Sequence, residues 1–222
     1  MSIIPTIDEM LAELPDESEC EPGATAPEMP VMATSRLMSA FGWPDRYLEP
    51  LDGPEGVEWL SALSVAHAII GSGGILILHG KRGTGKTQLA AEVARAKRFP
   101  FDAGTKADPR RSAHYQTAMR FFLTVRATFK KGSDKTELDI IDRMTEPGLL
   151  VIDELQERGE TAFEDRLLTH LIDARYGARR PTILIANLRR DELGKALGPS
   201  IVDRVHENGK SIDFTWNSYR RA

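Results

Sequence analysis

Residues 75–87 read Ile-Leu-Ile-Leu-His-Gly-Lys-Arg-Gly-Thr-Gly-Lys-Thr, a short apolar run opening into G-x-x-x-x-G-K-T. Each part of this pattern suits one chemical task. Gly80, Gly83 and Gly85 allow a backbone sharp enough to curl its N–H groups around an anion, with Lys81, Arg82 and Thr84 filling the loop between them. Lys86 is placed to reach the β- and γ-phosphates of a nucleotide, and the Thr87 hydroxyl to ligate Mg²⁺. Gln88–Arg95 has helical character, so a phosphate held by the loop lies at a helix N-terminus. A glycine-rich turn joining two core elements is the plainer alternative; the strand before and helix after are the context that phosphate binding requires.

A second acidic site follows the run Leu149-Leu150-Val151-Ile152 in Asp153 and Glu154. Four consecutive apolar residues fit a strand buried on both faces, and its C-terminal end is where open parallel sheets bind ligands. In the usual division of labour Asp153 holds the metal and Glu154 polarises an attacking water. A third run, Thr182–Ala186, ends in Asn187, whose amide can both donate and accept toward water or phosphate. Asparagine after a strand is also an ordinary turn former.

Taken in order, these motifs resemble the AAA+ ATPases. From Leu149 onward the resemblance narrows to the DnaC/IstB group of helicase loaders and transposase-helper ATPases. It is carried by L-L-V-I-D-E-L, R-R-P-T-I-L-I-A-N-L, S-I-V-D-R-V and the closing F-T-W-N-S-Y-R. The resemblance spans roughly residues 55–220 and implies an α/β fold, a mostly parallel sheet flanked by helices, with no C-terminal helical lid domain. It implies ATP and Mg²⁺ as cofactors and ATP hydrolysis stimulated by assembly or DNA. It also gives Arg204 the role of a finger reaching the γ-phosphate held by a neighbouring copy, where a guanidinium stabilises transition-state charge. A surface arginine paired with Asp203 or Glu207 is the alternative. The implied partners are single-stranded DNA, further copies of the chain and a replicative helicase. The matching region of loaders lines a DNA channel, which points here to Arg120, Arg126, Lys130 and Lys131, although these residues also suit a solvated helix face. Arg175, Arg179 and Arg180 could face DNA or a neighbouring copy's nucleotide.

Composition narrows the class. With 222 residues and 41% hydrophobic content the chain can bury a full α/β core beside an extension. The single cysteine, Cys20, excludes an intramolecular disulfide, and the five histidines lack metal-ligand spacing. No apolar run of membrane-spanning length occurs and the N-terminus is acidic, so the expectation is a cytoplasmic protein without a membrane anchor. Residues 1–30 carry eight acids and no Lys or Arg, leaving 29 basic against 25 acidic residues in 31–222, a net of +4. A mildly basic body suits contact with nucleic acid; the acidic tail does not.

Three regions are therefore expected. Residues 1–30 form an acidic, largely disordered tail with a short amphipathic helix near 5–14, whose Ile7, Met10, Leu11 and Leu14 make one apolar face for its own body or a partner helicase. Residues 31–54, with Phe41, Trp43 and Tyr47 among several prolines, wrap onto the body near the nucleotide base. Residues 55–222 are the ATPase domain: a helix over 55–70, a strand near 114–116, helices over 117–130, 139–144, 161–174 and 191–197, and a final edge strand around Phe214 and Trp216. Ala118, Phe121, Phe122, Val125 and Phe129 are expected to mark one buried helix face.

A helicase loader on single-stranded DNA is the first functional reading, and an IstB-like transposase helper on double-stranded DNA the alternative. A small P-loop kinase is a lesser one, because the Asp153–Glu154 pair favours water as acceptor and no lid is visible. A nucleotide-dependent scaffold with little turnover is the fourth.

Overall fold

The computed structural model describes residues 41–49, 56–96 and 112–219. The expected tail over 1–30, and much of the linker over 31–54, lie outside these residues. A 3₁₀ turn at Asp45–Tyr47 precedes the body. There follow α1 (Val57–Gly71), β1 (Ile75–Gly80), α2 (Lys86–Ala96), β2 (Ala113–Thr117) and α3 (Ala118–Ala127). Next come α4 (Glu137–Thr145), β3 (Leu149–Asp153), a 3₁₀ turn (Leu155–Glu157), α5 (Ala162–Gly177), β4 (Thr182–Ala186), α6 (Arg190–Asn208) and β5 (Gly209–Phe214).

The strands form one sheet in the order β2-β3-β4-β1-β5, and every pairing is parallel. The three apolar runs occupy the centre, and every residue of β3 and β4 is buried. Alternate residues point to opposite faces. Ile75 and Ile77 join Leu150, Ile152 and Leu184 in a core with α3, α4, α5 and α6. Leu76 and Leu78 join Val151, Ile183 and Ile185 in a second core with α1 and α2, which also takes in Trp43. Both faces are thus covered, the arrangement that permits continuous apolar strands. β2 and β5 lie at the edges, where only some positions are buried.

The sheet register sets the phosphate loop. Gly80 pairs with Phe214 across β1 and β5, and a Cβ on Gly80 would stand 2.6 Å from the Phe214 carbonyl oxygen. Only glycine lets the chain leave the sheet this close to its neighbour, with φ of 119°.

At the opposite end of the sheet sits Arg175, 0% exposed. Its guanidinium donates to Thr182 Oγ1 and to the carbonyls of Met144, Thr145, Pro147 and Pro181, at 2.7–3.1 Å. It ties the turns entering β3 and β4, which excludes it from DNA or a neighbour's nucleotide. Burial, and then the charge of Arg180, lowers its pKa to about 9, so it remains charged at neutral pH. Arg180 donates beside it to Thr145 O.

Three further expectations are corrected. The short helix at 191–197 breaks at Gly198 (φ 77°, ψ 161°), but helix resumes and runs to Asn208, with Pro199 in its first turn, where its missing N–H costs nothing. Phe129 is 60% exposed, because α3 stops at Ala127 and helical spacing no longer carries that ring inward. It meets Phe163 edge-on, at 5.7 Å between ring centroids. β5 ends at Phe214, so Trp216 lies beyond the strand.

Candidate nucleotide site

Between β1 and α2 the loop turns through positive φ at Gly83 (79°) and Gly85 (88°). Its outward carbonyls are held by donors from three places. Trp59 Nε1 on α1 donates to Gly85 O at 3.4 Å. Trp216 Nε1 donates to Thr84 O at 3.0 Å, and the Tyr219 backbone N–H to Gly83 O at 2.9 Å. Since C=O and the next N–H point oppositely across a planar peptide, fixing these oxygens outward turns the following amides toward the cavity. A Cβ on Gly85 would stand 3.0 Å from Trp59 Nε1. The closing F-x-W-x-S-Y motif is therefore a buttress for the phosphate loop. Inside it, Lys86 Nζ donates to Gly80 O (3.0 Å) and Lys81 O (2.6 Å), and Thr84 Oγ1 also donates to Lys81 O (2.9 Å).

Asp153 closes the other wall. Its Oδ2 accepts from Thr87 Oγ1 at 2.7 Å and from the Tyr115 hydroxyl at 2.9 Å, and its Oδ1 accepts from the Glu154 backbone N–H at 2.7 Å. Glu154 is exposed beside it in a left-handed conformation (φ 58°, ψ 45°). That conformation is costly for a residue with a side chain and tends to persist at functional sites. Asn187 follows β4, its backbone N–H donating to Gln156 Oε1 at 2.8 Å. Arg82, Gly83, Gly85, Lys86, Thr87, Asp153, Glu154 and Asn187 all line one cavity of about 740 Å³, within the range of small-molecule sites.

Tyr115 is a site residue that the sequence reading passed over. Its ring packs on Trp43 at 5.1 Å, and Trp43 Nε1 donates to Ala113 O at 2.8 Å. Burial first, and then the Asp153 charge, raises the phenol pKa well above its usual value, so it stays a donor. The alternation of β2 was a usable signal: Ala113 and Tyr115 are its two buried positions.

Arg204 stands apart from these walls. On the second half of α6 it pairs with Asp173 of α5 at 2.8 Å and donates to Ser200 O and Oγ, both at 2.7 Å. Its partner is thus across the helix pair, in place of Asp203 or Glu207. Among the other bases, Arg126 pairs with buried Glu164 at 2.7 Å, while Lys130 and Lys131 are exposed.

The residues fit a magnesium nucleotide. A hydroxyl and a carboxylate in contact offer the hard oxygen donors that Mg²⁺ takes alongside phosphate and water. The loop amides and Lys86 are donors of the kind that suit a phosphate.

A parallel sheet in this order, with a phosphate loop after β1 and an acidic pair at the C-terminal end of β3, defines a P-loop domain of the AAA+ type. The chain belongs to the family described as IstB-like ATP binding protein, which matches residues 60–222. Over 166 residues it is 28% identical to the replicative helicase loader DnaC of Escherichia coli K12, covering 72% of this chain and 64% of that protein. DnaC of Buchnera aphidicola subsp. Baizongia pistaciae is 27% identical over 146 residues, 65% of this chain and 56% of that one. The chain thus spans less than two thirds of the length of these curated relatives. A crystal structure of the DnaC helicase loader superposes with a TM-score of 0.60 at 21% identity, covering 77% of this chain and 99% of that one. AMPPCP-bound DnaA from Aquifex aeolicus gives 0.54 at 20% identity, covering 73% and 48%. Among the described residues no helix is long and apolar enough to cross a membrane.

Proposed function

We propose that this protein is an ATP-hydrolysing helicase loader that grips single-stranded DNA and self-associates through its nucleotide sites. The observation that carries the reading is the contact of Thr87 with Asp153, with Glu154 exposed alongside, in a chain similar to DnaC over 166 residues. Thr87 and Asp153 would hold Mg²⁺, which when bound offsets charge on the β- and γ-phosphates. Glu154 accepts a proton from the attacking water, and Asn187 orients that water. Lys86 releases its loop carbonyls to reach the phosphates.

Arg204 lies outside its own cavity, which supports a role in a neighbouring copy's site. To act there the guanidinium exchanges Asp173 and Ser200 for phosphate oxygens, so hydrolysis depends on assembly. The acidic tail over 1–30 is the proposed dock for a replicative helicase.

A second reading, a transposase helper on double-stranded DNA, is favoured by the family match itself. Turnover of the purified chain, alone and with single- or double-stranded DNA across protein concentration, separates the two. A rise with concentration and with single strands is expected. Stimulation mainly by duplex moves the assignment to the helper, and fast, DNA-indifferent turnover independent of concentration removes both.

A further inference from the structure

We propose that Arg46 is a second phosphate-contacting cation, supplied in cis to the γ-phosphate end of the site by the segment that precedes the ATPase body. The proposal rests on the nucleotide-site reading above and adds a residue to it.

Arg46 is the middle residue of the Asp45–Tyr47 turn, and both ends of that turn are pinned. On one side Trp43 is 3% exposed, bonded to Ala113 O and packed on Tyr115, while Tyr115 N–H donates to Phe41 O at 2.9 Å. On the other, Arg95 at the end of α2 donates to Tyr47 O at 2.8 Å and to Glu49 O at 2.7 Å. The backbone that carries Arg46 is therefore fixed on the same β2 residue whose hydroxyl holds Asp153.

The guanidinium lies 4.7 Å from the centroid of the Tyr47 ring. Among the described residues it has no carboxylate within ion-pair distance, whereas Arg82, which lines the same cavity, is paired with Glu157 at 2.9 Å. An arginine resting on an aromatic face keeps its planar fork available for phosphate oxygens.

Its position selects the end of the nucleotide. Arg46 lines the main cavity with Lys86, Thr87 and Asp153. It also lines an adjoining cavity of about 600 Å³ with Tyr115, Arg120 and Glu154. Glu154 and Tyr115 are shared by both cavities, so Arg46 stands beside the water-polarising carboxylate and the tyrosine whose hydroxyl holds Asp153. A cation beside Glu154, where the attacking water is activated, is placed to meet the terminal phosphate.

The test compares binding of ADP and of a non-hydrolysable ATP analogue, each with Mg²⁺, to the wild type and to Arg46→Ala, Arg46→Lys and Lys86→Ala. Arg46→Ala is expected to weaken the analogue roughly ten-fold or more while leaving ADP within about two-fold, the scale of one lost charge-assisted bond. Arg46→Lys is expected to fall between, since a lysine keeps the charge without the fork. Equal losses for both nucleotides, or no loss for either, would overturn the proposal. Lys86→Ala separates the premises: if it retains both nucleotides, the nucleotide-site reading itself fails. Because Arg46 is exposed, its variants are expected to melt within a degree or so of the wild type.

Discussion

Replacing Tyr115 by Phe removes one oxygen and leaves the ring that packs on Trp43 in place. The lost hydroxyl donates to Asp153 Oδ2 at 2.9 Å from a side chain only 7% exposed. A hydrogen bond to a charged group contributes about 1.5–3 kcal/mol. Asp153 keeps two other donors, Thr87 Oγ1 and the Glu154 N–H, so the loss belongs near the lower end of that range. At roughly 2–4 °C per kcal/mol for a domain of this size, the melting temperature should fall by about 3–6 °C. The larger effect is on the metal. Removing a partner that orients a ligating carboxylate typically costs about 10–100-fold in metal affinity. The Mg²⁺ midpoint for ATP-analogue binding, followed by titration at fixed nucleotide, is therefore expected to rise by at least ten-fold. Mg²⁺-independent binding of the nucleotide to the phosphate loop is expected to persist. A Tyr115→Phe chain with an unchanged melt and an unchanged Mg²⁺ midpoint would refute the idea that this hydroxyl orients Asp153.

Other expectations follow from the same geometry. Lys86→Ala is expected to abolish ATP binding by calorimetry, and retained wild-type affinity would remove the phosphate-loop assignment. Glu154→Gln is expected to bind ATP normally and stop turnover; single-turnover hydrolysis at the wild-type rate would take the water-polarising role from it. Arg175→Met removes the donor to Met144 O and Pro147 O, while Thr145 O keeps Arg180 and Pro181 O keeps the Leu150 N–H, so it is expected to cost several kcal/mol in urea unfolding, at about 1–3 kcal/mol per buried group left unmet. A loss under about 1 kcal/mol would mean that water replaces the guanidinium. Partly buried His114 has its pKa lowered from 6.5 to about 4, by burial first and then by Arg143, Arg175 and Arg120. Between those values the unfolded chain binds a proton that the folded chain refuses, so stability declines as pH falls through that window. His114→Asn is expected to flatten that decline in unfolding titrations, and an unchanged slope would assign it to other groups.

Much of this organisation is legible in the amino-acid order because the central strands are buried on both faces. Ile75–Leu78, Leu149–Ile152 and Ile183–Ala186 have to be continuous apolar runs, and each must end at a ligand-facing loop. The edges are less legible. β2 carries a single decisive side chain, Tyr115, whose partner Asp153 is 38 residues away, and no local spacing links them. Trp43 lies 70 residues from the carbonyl that fixes it, so the segment's contribution to the site emerges only from tertiary contacts. Gly198-Pro199 reads as the end of a helix, yet here it separates two helical stretches and leaves Arg204 on the second. Arg175 illustrates the reverse error. Neighbouring arginines at a helix end suggest a nucleic-acid surface, while the carbonyls clustered at the strand entrances draw this one fully inward.

The central claim is that ATP is hydrolysed in a site completed by a neighbour's Arg204, and its most direct test is turnover in mixtures of Lys86→Ala and Arg204→Ala chains. The first variant cannot hold nucleotide but still offers Arg204; the second holds nucleotide but lacks the finger. In an equimolar mixture with single-stranded DNA, turnover above the sum of the two separate chains is predicted. A mixture no more active than its components would contradict the shared site and leave Arg204 as a structural partner of Asp173.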